Sequence, residues 1–163
     1  MLDIPSISAI VAALGVLVGV VLTVQELNHL AKSRRTDSFW RVFSSFNNKE
    51  FLEAWTKVMS LEFKDYKDFQ SKYGVMTLDN PAVVALSIVG NLFEGAEYLL
   101  RNGLIGYDVV GQFPVNITWE KMKPLAEGAR ELGWSGLWTG FEQLAQDMKK
   151  RQQKLQQRRS TNG

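Results

Sequence analysis

The chain contains no cysteine and a single histidine, His29, among its 163 residues. The absence of cysteine excludes disulfide bonds, thiolate metal sites and cysteine nucleophiles. One imidazole is too few for the common zinc and di-iron centres. The sequence also lacks the GxGxxG, Walker A, GxSxG and HExxH motifs, which mark phosphate-binding loops, serine hydrolases and zinc proteases. We therefore expect no catalytic residue, no metal ion and no cofactor.

Charge is unevenly distributed along the chain, although the formal net charge is only +2. Residues 38–147 carry ten basic and fourteen acidic side chains, a net charge of −4. Residues 148–163 carry six basic side chains and no acidic one. The chain is therefore an acidic body with a basic tail. Since 45% of all residues are hydrophobic, the body has enough apolar side chains for a packed core.

No charged residue occurs between positions 4 and 24, and residues 10–22 are almost all aliphatic or glycine. A helix of this length spans about 30 Å, the thickness of the hydrocarbon layer of a bilayer. A cleavable signal peptide would need basic residues before the apolar run, and only Asp3 precedes it. The segment therefore predicts a permanent N-terminal transmembrane helix.

Basic residues flank only one end of the predicted span. Lys32, Arg34 and Arg35 follow it, and no lysine or arginine precedes it. The positive-inside rule places the basic end in the cytoplasm. We therefore expect a single-pass protein of the cell membrane, with its N-terminus outside and its C-terminal domain in the cytoplasm.

Small side chains recur on one face of the predicted span. Such a strip lets another transmembrane helix approach closely and gain packing that lipid would not supply. The neighbouring helix would belong to another subunit of a membrane complex or to a second copy of this chain. The residues of the strip are Ser8, Ala12, Gly15 and Gly19.

The rest of the chain shows helical periodicity, without strand alternation or an internal repeat. Asn47-Asn48 predicts the start of one helix, and Asn80 followed by Pro81 predicts the start of the most apolar helix, which would end before Gly103. Charged residues interrupt this apolar helix, so we interpret it as the core helix of the domain and not as a second span. The predicted fold is all-α: one transmembrane helix plus a small multi-helix cytoplasmic domain.

Two further signals concern the C-terminal half. Pro114 predicts a kink or a break in the helix that begins near Tyr107, and Ser135 is the expected cap of the last helix. The chain then divides into three parts by composition. These are a transmembrane anchor with a juxtamembrane helix at 1–35, a helical cytoplasmic domain at 36–147 and a basic tail at 148–163.

Several motifs follow one another in a recognisable order. They are Arg34-Arg35 after the anchor, Glu50-Phe51 with Ala54-Trp55, Asp65-Tyr66-Lys67-Asp68-Phe69, Asn91-Leu92-Phe93-Glu94-Gly95-Ala96, and Trp119-Glu120-Lys121 with Lys123-Pro124. This order resembles a prokaryotic family of membrane-anchored proteins that is classed only as a domain of unknown function. The resemblance implies one N-terminal span and an all-helical cytoplasmic domain. It implies no activity.

Three carboxylates, Glu94, Glu97 and Glu120, lie in largely apolar helical sequence. Glu94 and Glu97 share a helix face, which is the spacing of carboxylate metal sites in helical bundles. Such sites also need histidines, and His29 lies beside the predicted span. We therefore favour a structural role for Glu94, either bonding a helix end or pairing with a basic residue. Glu97 and Arg101 have the spacing of an ion pair within a helix.

The basic tail is the clearest functional feature after the predicted anchor. It could face an anionic inner leaflet, an acidic patch of a partner protein, or solvent alone. We do not expect nucleic acid as its partner, because no aromatic residue interleaves with the basic ones. The basic residues of the tail are Lys149, Lys150, Arg151, Lys154, Arg158 and Arg159.

These features predict a non-catalytic accessory or scaffolding subunit of a larger membrane protein complex. The alternative is a membrane-tethered, homo-oligomeric adaptor or regulatory module that acts through the basic tail. An enzyme that uses Glu94, Glu97 or Glu120 is the least favoured hypothesis.

Overall fold

The computed structural model describes residues 16, 18–27, 30, 33, 37, 40–41 and 43–161, without the side chains of Arg159 and Thr161. These residues form helices and connecting turns, and none of them lies in a strand. The chain separates into two compact units, Met1–Ser38 and Phe39–Gly163. The helices are α1 Val18–Leu27, α2 Lys49–Ser60, α3 Tyr66–Tyr73, α4 Pro81–Arg101, α5 Tyr107–Val110, α6 Val115–Glu131 and α7 Thr139–Thr161. The predicted all-α class is confirmed for the described residues.

The starts of α2 and α4 are those that the sequence predicts. The side chain of Asn48 accepts a hydrogen bond from the backbone N–H of Phe51 at 2.7 Å. The side chain of Asn80 accepts one from the N–H of Ala82 at 2.9 Å, and Pro81 opens α4. Each asparagine satisfies an N–H group that has no partner within the helix. Both predicted caps are therefore confirmed.

Two breaks also lie where glycine and proline predict them. Gly103 follows Asn102, the C-cap of α4, and has a φ of 68°, a conformation that favours glycine. Pro114 directly precedes α6, after the short helix α5. A proline at this point cannot donate a backbone hydrogen bond, so α5 and α6 remain separate helices.

Helix α3 approaches α6 closely at Gly128. A Cβ atom added to Gly128 would lie 2.4 Å from the Cβ of Tyr66, so only glycine fits there. The carboxylate of Asp68 in α3 accepts hydrogen bonds from the Nζ of Lys72 in the same helix and from the backbone N–H of Lys64, which precedes the helix. The bond from Lys72 is the main cause that lowers the pKa of Asp68.

Helix α4 is the centre of the second unit and packs against α2 and α7. Its residues Leu86, Val89 and Phe93 are fully buried. The ring of Phe93 stacks on that of Phe141 in α7 with 4.6 Å between centroids, and Phe141 meets Trp119 of α6 edge-on at 5.1 Å. Aromatic pairs of this kind each stabilise the fold by roughly 0.5–1.5 kcal/mol, in addition to the contribution of the apolar area that they bury. The core thus runs through α4, α6 and α7.

The helical turn at 43–46 joins this core through Phe46, which is 2% exposed. Its ring stacks on Phe113 with 3.7 Å between centroids and lies 5.0 Å from that of Phe93. The turn is therefore part of the domain.

By length and composition, α4 is also the one described helix that is apolar enough to cross a membrane. However, 44% of its apolar window is buried within the chain. The buried residues face α2 and α7, which is the arrangement of a core helix. The span predicted at 4–24 falls largely outside the described residues. Its described residues, 16 and 18–24, are helical, and among the described residues α1 counts as a shorter apolar helix.

Two glycines of α4 have opposite surroundings. A Cβ atom on Gly90 would lie 2.2 Å from Cε2 of Trp138, whose indole covers this position. A Cβ atom on Gly95 would meet nothing within 4 Å. Gly90 therefore makes room for a buried tryptophan. Gly95 lies on an exposed face and contacts no neighbour, so its only effect is the low helix propensity of glycine.

We expect Gly90→Ala to lower the free energy of unfolding by about 2 kcal/mol, because the indole of Trp138 must move out of a packed core. Gly95→Ala should raise it by about 0.5–1 kcal/mol, because alanine favours the helix more than glycine does. Both values are measured by denaturant unfolding of the full chain in detergent, followed by tryptophan fluorescence. Equal effects of the two substitutions would contradict the packing of Trp138 on Gly90.

Candidate functional site

The carboxylate of Glu94 binds the N-terminus of α7. Its Oε1 accepts a hydrogen bond from the backbone N–H of Gly140 at 3.0 Å, and its Oε2 accepts one from Phe141 at 2.8 Å. These are the second and third residues of α7, whose N–H groups an N-cap side chain normally satisfies. A negative charge there also interacts favourably with the helix dipole. Glu94 bonds a helix end, which is one of the two structural roles that we predicted for it.

This geometry corrects the prediction that Ser135 caps the last helix. Helix α7 begins at Thr139, and Ser135 lies in the exposed turn before it. Trp138 intervenes with a φ of 51°, which is uncommon for any residue but glycine. Its indole is buried and donates from Nε1 to the side chain of Asn91 at 3.3 Å. The chain therefore turns at Trp138, and a carboxylate from α4 takes the role of the cap.

Glu97 lies one turn further along the same face of α4. It is 7% exposed, and its Oε2 accepts a hydrogen bond from Nη2 of Arg101 at 2.5 Å. The predicted pairing of Glu97 with Arg101 is confirmed. Oxygens of Glu94 and Glu97 both lie 3.0 Å from the position that a Cβ atom on Gly140 would take. Both carboxylates therefore border the start of α7.

Glu120 belongs to a different environment from the other two carboxylates. Its side chain is 63% exposed, and Oε1 lies 3.8 Å from Nζ of Lys149. The expectation that it sits in apolar surroundings is wrong, because the apolar face of α6 turns Trp119 and Met122 inward and leaves Glu120 outside. The structure thus brings Glu94 and Glu97 together and leaves Glu120 in a surface ion pair.

Arg130 of α6 is a second structural residue at the start of α7, and the sequence did not predict it. Its Nε donates to the carbonyl of Leu137 at 2.9 Å, and its Nη1 donates to Glu142 at 2.5 Å. Its guanidinium also lies 5.8 Å from the ring centroid of Trp119. No short-range pattern marks these contacts, because its partners lie on the far side of the turn.

Basic residues of the predicted tail continue α7 without a break up to Thr161. Arg151 places its guanidinium 4.9 Å from the ring centroid of Tyr107, and Lys149 pairs with Glu120. Lys150 lies 4.0 Å from Asp147. Lys154 and Arg158 are exposed, and the side chain of Arg159 lies outside the described part of the chain.

Most of the predicted membrane-packing strip also lies outside the described residues: Ser8, Ala12 and Gly15 belong to the part that the structure does not describe. Gly19 is described, and a Cβ atom added to it would meet nothing within 4 Å. The strip as a whole therefore remains a prediction.

The described surface carries several clefts of about 580–650 Å³. One of about 580 Å³ lies between α3 and α6, where Tyr66, Pro124 and Gly128 form part of its lining. Lysines and carboxylates share its rim, so it presents no field of one sign. Among the described residues, no group of three His, Asp or Glu side chains is placed to hold a metal ion. The junction of α4 and α7 and the basic end of α7 are therefore the two candidate sites.

We expect Glu94→Ala to lower the free energy of unfolding by about 2 kcal/mol, because it leaves two N–H groups of α7 without their charged acceptor. Glu94→Gln should cost less, because an amide oxygen still accepts one bond. Hydrogen exchange at Gly140 and Phe141 should accelerate in both variants. Glu120→Ala is the control and should change the free energy by under about 0.5 kcal/mol. Unchanged exchange at Gly140 in Glu94→Ala would refute the capping role.

Comparison with known proteins gave no match among family models, curated proteins or solved structures. The family resemblance of the motifs therefore stays a prediction.

Proposed function

We propose that this protein is a non-catalytic accessory or scaffolding subunit of a larger membrane protein complex. One N-terminal span anchors it, and the helical domain contacts cytoplasmic surfaces of its partners. The N-terminus lies outside, in keeping with the basic residues that follow the span.

The exposed apolar surface of α1 is the observation that carries this proposal. The valines and leucines of α1 are each between 51% and 60% exposed: Val18, Val20, Val21, Leu22, Val24 and Leu27. Val16, which precedes α1, is 67% exposed. At 100° per residue these side chains point to most sides of the helix, and not to one stripe. A helix that is apolar on most of its circumference is stable when lipid or other helices cover it.

Two details of α1 suit a lipid environment. The hydroxyl of Thr23 donates to the carbonyl of Gly19 at 2.8 Å, so its proton has a partner within the helix. The open space above Gly19 leaves the backbone accessible to a neighbouring helix. A docking helix would therefore meet backbone at this point and not a bulky side chain.

The engagement of the carboxylates supports a non-catalytic role. Both oxygens of Glu94 accept backbone hydrogen bonds, and Glu97 is paired with Arg101. Acid–base catalysis would require a carboxyl group that is placed toward a substrate. The two carboxylates instead stabilise the contact between α4 and α7.

The position of the anchor is tested by alkaline extraction of membranes from cells that express the full chain. We expect the unaltered chain to stay in the membrane pellet and the double variant Val16→Asp, Val18→Asp to move to the soluble fraction. Each aspartate costs about 3 kcal/mol near the centre of a span. The control Leu52→Asp, Leu78→Asp alters two exposed apolar residues of the domain and should stay in the pellet. Release of the unaltered chain would refute the anchor.

The subunit role is tested by gentle detergent extraction of the native protein, followed by sizing and mass spectrometry of the co-migrating proteins. We expect several membrane proteins at a fixed ratio to this chain. A monomer, or an assembly of this chain alone, would overturn the proposal and favour the tethered homo-oligomeric adaptor.

A further inference from the structure

The last part of α7 forms an arm beyond the packed core. Met148 is the last buried residue of the helix, and residues 149–158 and 160 are all exposed. The helix nevertheless continues to Thr161. Residues 149–161, which we call the basic arm, therefore extend about 20 Å at 1.5 Å per residue.

One side of the basic arm faces the domain. Lys149 pairs with Glu120 of α6, and the side chain of Gln152 accepts a hydrogen bond from that of Asn116 at 3.1 Å. Arg151 lies over the ring of Tyr107 at the edge of this side. These contacts fix the rotation of the helix about its axis where the arm begins.

The other side of the arm carries three cations at regular intervals. Lys150, Lys154 and Arg158 are spaced by four residues and so lie along one face of the helix, which we call the basic face. The carboxylate nearest to it in sequence is that of Asp147, 4.0 Å from Nζ of Lys150, and no acidic residue follows Asp147. Beyond the pair of Lys150 with Asp147, the basic face therefore presents only positive charge, and from Lys150 to Arg158 it extends over about two helical turns.

We propose that the basic face docks on anionic lipid headgroups of the membrane in which the chain is anchored. This inference rests on the proposed function, since it requires the chain to be held at a bilayer. A plane of anionic headgroups attracts lysine and arginine side chains that come within a Debye length of it. Evenly spaced cations on a helix suit such a plane, because it demands no particular pairing geometry.

The composition of the arm favours lipid over a protein partner. Protein interfaces draw most of their affinity from buried aromatic or large apolar anchors. The arm offers only Leu155, which is 50% exposed. It also contains no aromatic residue on which a nucleic acid base could stack. The interaction is therefore electrostatic, and salt should weaken it.

The test uses the full chain in phosphatidylcholine vesicles with and without phosphatidylserine. Since the chain has no cysteine, Ser160→Cys provides a unique site for a donor fluorophore near the end of the arm. Energy transfer to acceptors on lipid headgroups then reports docking. We expect phosphatidylserine to increase the transfer and salt to reverse the increase. Replacing Lys150, Lys154 and Arg158 by glutamine should lower the ratio of docked to free arm on the order of 100-fold.

The matched control replaces three exposed lysines of the domain, Lys57, Lys64 and Lys67, by glutamine and changes the net charge equally. Its transfer should equal that of the unaltered chain. An equal loss in the control would overturn the inference, as would transfer that is independent of phosphatidylserine. The inference would also be overturned if added tRNA abolished the fluorescence energy transfer while phosphatidylserine had no effect on it. That result would assign the basic face to nucleic acid.

Flotation of the same vesicles separates this inference from the proposed anchor. A chain that does not float with phosphatidylcholine vesicles lacks the anchor, and then the proposed function fails. A chain that floats but shows no response to phosphatidylserine retains the anchor, and then only the docking of the basic face fails.

Discussion

The contact between the Glu94 carboxylate and the first turn of α7 determines how the two longest helices of the domain meet. Helix α7 has no polar side chain of its own at the position before Thr139, because Trp138 occupies it and turns its indole into the core. The N–H groups of Gly140 and Phe141 would lack partners without a carboxylate from another helix. One residue in the middle of α4 thus fixes the point at which α7 starts.

The neighbours of Glu94 on α4 contribute to the same contact. Gly90 makes room for the indole of Trp138, and Phe93 stacks on Phe141. Hydrophobic packing and a charged cap therefore act on one turn of α7 from two successive turns of α4. Burial alone would allow α7 to slide along α4, whereas two directional hydrogen bonds to one carboxylate select a single position. Everything further along α7, including the basic arm, takes its direction from this contact.

Local signals predicted the starts of α2 and α4, and the failure at α7 has a physical reason. Asn48 and Asn80 lie within three residues of the N–H groups that they bind, so the sequence alone reveals both caps. The cap of α7 lies 46 residues away from Gly140 in the chain. The prediction followed residue type alone, because serine is one of the preferred cap residues.

The sequence predicted what kind of partner Glu94 would have, but not which helix end would supply it. A carboxylate in an apolar helix must find a partner, which is why a helix end or a basic residue was expected for Glu94. Which helix end it binds depends on the tertiary contact of α4 with α7. Arg130 and the covering of Gly90 by Trp138 depend on the same contact, so helical periodicity could not reveal them. By contrast, Glu97 and Arg101 lie on one helix, and their spacing was sufficient.

Apolar character alone does not distinguish α1 from α4, and burial does. Both helices are rich in valine and leucine, and α4 is long enough to cross a bilayer. Yet the valines and leucines of α4 divide into a buried face and an exposed remainder, whereas every described valine and leucine of α1 is exposed. One side of α4 has its apolar surface removed from water by the domain core, whereas the apolar surface of α1 is left uncovered. Lipid or other helices cover an apolar surface of this kind better than water does, which is why the proposal assigns the membrane contact to α1.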